Sequence, residues 1–170
     1  MATTKDTPEY RKPLPAPSDI SRPFWDGLRV GELRLQRCHD CRRYVFYPRS
    51  VCPHCLSQEL EWVAASGRGQ LYSYTIVRRA MNPAFQEDVP YVFAIVELEE
   101  GPRLTTNIVN CEAEAVQVDM PVKAVYDVIT PEIALLKFEP GVRQQGTREQ
   151  ATRNKQQATS PPSEVVWGQS

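Results

Sequence analysis

Hydrophobic and polar residues alternate through most of the chain, and this alternation predicts a protein built mainly of β-strands. Strands are predicted at 33–36, 44–47, 59–63, 70–79, 91–98, 103–109, 122–129 and 134–138. One short helix is predicted near the start, where Ser21 is a capping residue and Gly31 can end the helix. Between them, Phe24, Trp25 and Leu28 form an apolar stripe that needs a surface to pack on.

The last five predicted strands form a separate group, because Gly67 and Gly69 divide them from the first three. A short helical turn is predicted after the third strand of this group, over 110–116. Five strands with a helical turn in that position are typical of a small Greek-key barrel of the OB type. Alternation along the first strand of the group places Tyr72, Tyr74 and Ile76 on one face.

Composition divides the chain into four parts. Residues 1–17 are rich in proline and are predicted to be a flexible arm, and residues 141–170 are rich in polar residues and are predicted to be a disordered tail. Between them lie the helix with a small N-terminal module, at 18–66, and the barrel, at 67–140. No apolar run approaches the roughly 20 residues of a membrane span or a signal-peptide core, so a cytoplasmic protein is expected.

Four of the five cysteines stand in two Cys-x-x-Cys pairs, Cys38 with Cys41 and Cys52 with Cys55. This spacing predicts a zinc ribbon with one structural zinc ion per chain, in which the metal stabilises a module too small to fold alone. Iron fits the same ligands and remains an alternative. Two disulfides are disfavoured by the expected reducing compartment, and a thioredoxin-like redox pair would need only one Cys-x-x-Cys in a βαβ context. His39 and His54, between the paired cysteines, are expected to face solvent.

Residues for covalent or acid–base catalysis are scarce. Both histidines lie between predicted metal ligands, so no Ser–His or Cys–His relay is expected. The remaining thiol, Cys111, has no basic neighbour in sequence and is expected to be structural. No catalytic residue is therefore assigned. A self-contained hydrolase or lyase is kept as a hypothesis that ranks below the two given at the end of this section.

Charge is unevenly distributed, although the formal net charge is only −1. Residues 29–49 hold six arginines against two acids, a balance of +4, whereas residues 50–140 hold six basic residues against thirteen acids, a balance of −7. Arg42, Arg43 and Arg49 stand among aromatic residues, a pattern that suits either nucleic acid or an adenine nucleotide with several phosphates, such as coenzyme A. The acidic second part disfavours nucleic acid. A solvated ribbon surface whose aromatics fill a small core is the simpler alternative.

Several motifs together resemble a known family. They are Phe24-Trp25-Asp26-Gly27-Leu28, the segment from Gly31 to Cys38, Phe46-Tyr47-Pro48-Arg49, the segment from Gly67 to Thr75, Pro90-Tyr91-Val92, and Met120-Pro121-Val122. Over residues 18–140 the combination is similar to the acyl-CoA-associated proteins that join a rubredoxin-like zinc ribbon to an OB-fold. Members of that family often have glycine after each second knuckle cysteine, where this chain has Arg42 and Leu56, and left-handed backbone costs more without glycine.

The resemblance implies a mainly β fold and a non-catalytic partner subunit of a thiolase-like enzyme, which makes or cleaves a carbon–carbon bond in an acyl-CoA. The partner in this hetero-oligomer would carry the catalytic residues of a thiolase, retro-aldolase or acyltransferase complex. Arg42, Arg43 and Arg49 would then bind coenzyme A phosphates. Phe24, Trp25 and Leu28 would pack against the partner or across the ribbon, and Tyr72, Tyr74, Tyr91 and Phe93 would face the partner or the acyl group. A zinc-ribbon/OB module that binds nucleic acid is the alternative.

Overall fold

The computed structural model describes residues 12–142, and within them it contains one α-helix and eight strands. These are α1 (Arg22–Arg29), β1 (Arg34–Cys38), β2 (Tyr44–Val45), β3 (Leu60–Ala64), β4 (Arg68–Val77), β5 (Tyr91–Leu98), β6 (Arg103–Ile108), β7 (Pro121–Val128) and β8 (Ala134–Pro140). Short 3-10 helices cover Pro83–Asp88 and Ala113–Ala115. Most of the predicted arm, at 1–17, and of the predicted tail, at 141–170, lies outside the described residues.

The strands form two sheets of different architecture. An antiparallel three-stranded sheet has the order β2-β1-β3, and the other five strands form a closed barrel in the order β4-β5-β6-β8-β7. The single parallel contact, between β6 and β8, completes the barrel circuit. The predicted fold class, a short helix, a ribbon and a five-stranded OB-type barrel, is confirmed. Among the described residues, the helices are too short or too polar to cross a membrane.

Helix α1 follows its predicted start and end signals. Ser21 occupies the N-cap position, although its hydroxyl bonds to Ser18 and caps no helix amide, while the Arg22 amide donates to the Ser18 carbonyl at 2.9 Å. After the last helical residue, Gly31 adopts a φ of +74°, which allows the chain to turn away from the helix. The helix therefore spans only two turns before it leads into β1.

The apolar face of α1 packs into the chain's own core. Phe24 and Leu28 belong to one buried cluster together with Leu33 and Leu35, which flank the start of β1, and with barrel residues such as Phe138. Trp25 packs at the edge of this cluster, and its ring meets that of Phe24 edge to face at 5.2 Å. The shared core joins the helix, the ribbon and the barrel.

Strand β4 contains a β-bulge between Leu71 and Ser73. Leu71 is fully buried and Tyr72 is 47% exposed, whereas Tyr74 is half-buried against the barrel core, as is Ile76. The extra residue reverses the in–out alternation. The predicted common face of Tyr72, Tyr74 and Ile76 is therefore wrong for Tyr72, which lies on the outer surface of the barrel.

Candidate metal centre and ligand groove

The four paired cysteines bring their sulfur atoms into one compact cluster. Cys38 ends β1 and Cys41 lies in the turn to β2, while Cys52 and Cys55 lie in the loop between β2 and β3. All four Sγ atoms lie within 4.8 Å of one another, with 3.6 Å between Cys38 and Cys55 and between Cys41 and Cys52. Four Zn–S bonds of about 2.3 Å in a tetrahedron require sulfur separations of about 3.8 Å. The cluster therefore fits a structural zinc ion.

Two similar turns hold these sulfurs. In each turn, the residue after the second cysteine donates its amide hydrogen to the carbonyl of the first, from Arg42 to Cys38 and from Leu56 to Cys52, both at 3.0 Å. Arg42 and Leu56 have φ angles of 61° and 63°. Both residues therefore adopt the left-handed conformation that glycine prefers, at a cost of roughly 1 kcal/mol or more each.

Hydrogen bonds from the backbone favour the metal-binding form of Cys38. A backbone amide of Cys41 lowers the pKa of Cys38 to about 7, against the opposing effect of burial. The amide of His54 also donates to the Cys52 sulfur at 3.4 Å. Because metals bind the thiolate, the lowered pKa reduces proton competition at Cys38, whereas the pKa of Cys55, despite a backbone hydrogen bond at Ser57, is raised to about 12 by burial and the neighbouring sulfurs.

His39 and His54 are exposed, as predicted, and stand outside the sulfur cluster. The Nε2 atom of His39 lies 3.5 Å from a carboxylate oxygen of Glu61. The Nδ1 atom of His54 lies 3.3 Å from Nη1 of Arg43. Each ring thus has a neighbour of its own beside the metal centre.

A groove of about 580 Å³ lies between the ribbon and the barrel. The ribbon wall consists of Arg42, Arg43, Tyr44, Val45, Phe46, Arg49, Pro53 and His54. The facing wall is the turn between β5 and β6, formed by Glu100, Gly101 and Pro102. The three arginines that the sequence nominates as phosphate ligands therefore line one groove.

The groove arginines lack carboxylate partners, whereas six of the other eight arginines of the described residues have one; Arg37 and Arg79 are the two exceptions. Six arginines elsewhere lie 2.5 to 3.6 Å from a carboxylate oxygen, namely Arg22, Arg29, Arg34, Arg68, Arg78 and Arg103. Within residues 12–142, Arg42, Arg43 and Arg49 form no ion pair, and Arg43 contacts His54 instead. Their guanidinium groups are therefore available to an anionic ligand.

Glu100 lies in the groove, yet it is committed to the backbone. Its Oε1 atom accepts a hydrogen bond of 2.6 Å from the amide of Ser66. Its Oε2 atom is buried and has no hydrogen-bond partner in the described part of the chain. This carboxylate links the segment before the barrel to the β5–β6 turn and forms no ion pair with the three arginines.

A second surface, which we call the outer face, is formed by the outward side chains of β4, β5 and β6. Phe93 is 45% exposed there and stands between Thr75 on β4 and Asn107 on β6. The guanidinium of Arg103 lies 3.5 Å from the ring centre of Tyr72. The outer face thus displays two exposed aromatic rings with short polar side chains between them.

The outer face continues into the groove through Tyr47. The hydroxyl of Tyr47 shares a hydrogen bond of 3.2 Å with Thr105 on β6. The ring of Tyr47 lies 4.3 Å from that of Phe46, which lines the groove. The ribbon therefore contributes one exposed aromatic ring to the barrel surface.

The seven residues proposed to face a partner or an acyl group occupy different environments. Tyr72 and Phe93 lie on the outer face, and Tyr91 is half-buried on the same side of β5 as Phe93. Trp25 is half-buried, and Tyr74 packs against the barrel core. Phe24 and Leu28 lie in the shared core.

Cys111 is partly buried after β6, where desolvation, and then the nearby charge of Glu112, raise its pKa. A protonated thiol at neutral pH agrees with a structural role.

A four-cysteine ribbon joined through a shared core to a five-stranded barrel defines a zinc-ribbon/OB-fold protein. Family models match both parts: residues 25–61 match the ChsH2 rubredoxin-like zinc ribbon domain, and residues 62–127 match the ChsH2 C-terminal OB-fold domain. The chain belongs to the DUF35 family of ChsH2-type proteins.

Similar proteins carry names of subunits and scaffolds. A probable enoyl-CoA hydratase alpha subunit of Thermomonospora curvata is 36% identical over 142 residues, which are 84% of this chain and 44% of that protein. A DUF35 domain-containing scaffold protein of Methanocaldococcus jannaschii is 43% identical over 91 residues, 53% of this chain and 64% of that protein. This chain therefore spans less than two thirds of either relative.

Two further similarities involve complexes. The benzoylsuccinyl-CoA thiolase subunit BbsA of Thauera aromatica is 33% identical over 94 residues, 54% of this chain and 56% of that protein. Among solved structures, a chain of the Ltp2-ChsH2(DUF35) aldolase matches with a TM-score of 0.68 and 36% identity. That match covers 76% of this chain and 100% of the other.

Proposed function

We propose that this chain is a non-catalytic, zinc-binding partner subunit of a thiolase-like enzyme that makes or cleaves a carbon–carbon bond in an acyl-CoA. The proposal is supported by 36% identity to a complete chain of the Ltp2-ChsH2(DUF35) aldolase and by similarity to a subunit of a CoA thiolase. In this assembly the partner supplies the reacting groups, and the present chain contributes to assembly and to acyl-CoA binding.

The ligand assignment is carried by one observation, the convergence of Arg42, Arg43 and Arg49 in one groove, where none of the three forms an ion pair within the described residues. Coenzyme A presents a diphosphate and a further phosphate on its ribose, and guanidinium groups bind such oxygens through paired hydrogen bonds. Tyr44 and Phe46 line the same groove and offer ring surfaces for the adenine. The groove is therefore the proposed site for the nucleotide end of the acyl-CoA.

The outer face is the proposed surface toward the partner and the acyl group. Tyr72 and Phe93 supply exposed aromatic area, the side-chain type that dominates binding energy at protein interfaces. Arg103 is already paired with Glu97 at 2.6 Å, so a partner can cover this region without burying an unpaired charge. The adjoining groove would place the ligand at the edge of such an interface.

Affinity purification of the tagged full chain from its native cytosol tests the subunit assignment. Mass spectrometry and metal analysis of the eluate are expected to show a thiolase-like protein in stoichiometric amount and one zinc ion per chain. Recovery of the chain alone, or together with nucleic acid, would contradict the assignment. Salt-dependent binding of a single-stranded oligonucleotide would then favour the nucleic-acid module.

Calorimetry in the presence of the partner tests the groove. Replacement of both Arg42 and Arg43 by Ala is expected to weaken acetyl-CoA binding by about 1–3 kcal/mol, because two charge-assisted contacts are lost. Arg78→Ala is the matched control, because Arg78 lies outside the groove and pairs with Glu114 on the surface. Equal affinities of the double variant and the wild type would exclude the groove as the binding site.

A further inference from the structure

Arg42 and Leu56 form a natural comparison within one chain. They follow the second cysteine of each metal-binding turn, have φ angles within 2° of each other, and donate equivalent 3.0 Å hydrogen bonds to the first cysteine. The backbone conformation opposes a side chain equally at the two positions. Any difference in what the two side chains do must therefore come from what each one faces.

The two side chains face different surroundings. Arg42 lines the groove between ribbon and barrel, and its guanidinium has no ion pair within the described residues. Leu56 is 77% exposed and lies outside the groove. Only at the first turn does the unfavourable backbone conformation carry a group suited to an anionic ligand.

Arg42 lies in one of the two metal-binding turns, directly after Cys41. The ribbon has a separate small core of Cys38, Val45 and Cys52, to which Cys41 and Leu60 add partial cover. So little apolar burial leaves the two turns dependent on the metal for their order. Groove residues Arg42 and Arg43 directly follow one metal ligand, and Pro53 and His54 lie between two others. Four of the eight ribbon residues that line the groove therefore belong to the metal-binding turns.

We infer that Arg42 couples the metal centre to the ligand groove, so that bound zinc positions the Arg42 guanidinium for a phosphate-bearing ligand and the ligand in turn strengthens retention of zinc. The inference rests on the proposed binding of acyl-CoA in the groove. Reciprocity is required by thermodynamics: if zinc raises affinity for the ligand, the ligand raises affinity for zinc by the same factor. Leu56, in the equivalent turn, takes no part in this coupling.

The test measures zinc transfer from the zinc-loaded full chain, assembled with its proposed partner, to a chromogenic chelator, with and without saturating acetyl-CoA, which has no free thiol to bind the metal. Acetyl-CoA is expected to reduce the equilibrium fraction of zinc transferred in the wild type, with an apparent zinc affinity about tenfold higher. Arg42→Gly is expected to lose most of this effect, because glycine keeps the turn and removes the guanidinium. Leu56→Gly is expected to retain it in full.

Calorimetric titration of the same zinc-loaded proteins with acetyl-CoA measures ligand binding in the groove separately from its coupling to zinc affinity. If acetyl-CoA binds the wild type without changing its zinc affinity, the coupling is overturned and the groove assignment stays intact. The same holds if acetyl-CoA reduces zinc transfer equally in the wild type and Arg42→Gly. If Leu56→Gly also loses the effect of acetyl-CoA on zinc transfer, the coupling through Arg42 is overturned, because the effect would then belong to both turns. Absence of acetyl-CoA binding by the wild type in the presence of its partner would overturn both the groove assignment and the coupling.

Discussion

Gln36 and Arg49 are joined by two hydrogen bonds between the side chain of the first and the backbone of the second. The amide nitrogen Nε2 of Gln36 donates to the Arg49 carbonyl at 2.9 Å, and the Arg49 amide donates to Oε1 of Gln36 at 2.7 Å. Gln36 is only 5% exposed and lies in β1, the central strand of the ribbon. The loop that carries Arg49 into the groove is therefore fixed by a buried polar residue of the sheet.

Gln36→Leu is expected to lower the free energy of unfolding by about 1–3 kcal/mol, because it leaves the amide and carbonyl of Arg49 without partners. It is also expected to weaken acetyl-CoA binding, since Arg49 loses its fixed position. Denaturant unfolding of the zinc-loaded protein and calorimetry measure the two effects. Gln58→Leu is the control, because Gln58 is exposed and its side chain is not engaged in the ribbon. Equal unfolding free energies for the two variants would contradict this role of Gln36.

Cys52→Ala is expected to abolish binding of one zinc ion per chain, because three thiolates leave the tetrahedron open and the fully buried Cys52 also belongs to the small ribbon core. Metal analysis after gel filtration measures the stoichiometry. Cys111→Ala provides a matched control, since it removes a cysteine that lies outside the sulfur cluster. Zinc retained by Cys52→Ala, or lost from Cys111→Ala, would show that the ligands are assigned incorrectly.

The sequence alone predicts the structural features that depend on residues close together in the chain. Cys38 and Cys41, and likewise Cys52 and Cys55, are close in the chain, so their spacing alone predicts the metal-binding turns. The left-handed conformation at Arg42 follows instead from the family resemblance, because members often have glycine at that position. The strand pattern predicted the barrel because alternation survives along most of β5 to β8.

The groove required the tertiary fold. Its ribbon wall includes Arg49 and its barrel wall includes Pro102, which are far apart in sequence and meet only when α1 and the ribbon share a core with the barrel. The alternation of apolar and polar residues also does not predict the β-bulge in β4. Its single extra residue places Tyr72 on the outer surface and Tyr74 against the barrel core. Gln36 has no sequence signal for its role, because its partner is the backbone of a residue thirteen positions away.

Phe93→Ala is expected to weaken association with the proposed thiolase-like partner and to change the unfolding free energy by less than about 0.5 kcal/mol, because the ring is half exposed on the outer face. Val128→Ala is the matched control, since it shortens an exposed apolar side chain at the end of β7, away from the outer face. Pull-down with the purified partner and thermal unfolding measure the two quantities. Normal association of Phe93→Ala, or equal loss in Val128→Ala, would remove the outer face from the interface.

Cys111 is expected to react slowly with iodoacetamide at neutral pH. Desolvation, and then the charge of Glu112, raise its pKa, so the reactive thiolate forms only at a pH above the usual range for cysteine. The labelling rate in the zinc-loaded protein should therefore rise with pH along a curve displaced to higher pH than that of a free cysteine, as measured by peptide mass spectrometry. Glu112→Gln removes the nearby negative charge and is expected to shift the curve back toward lower pH. Fast labelling at pH 7, together with turnover of an acyl-CoA by the isolated chain that Cys111→Ala abolishes, would instead identify this chain as an enzyme in its own right.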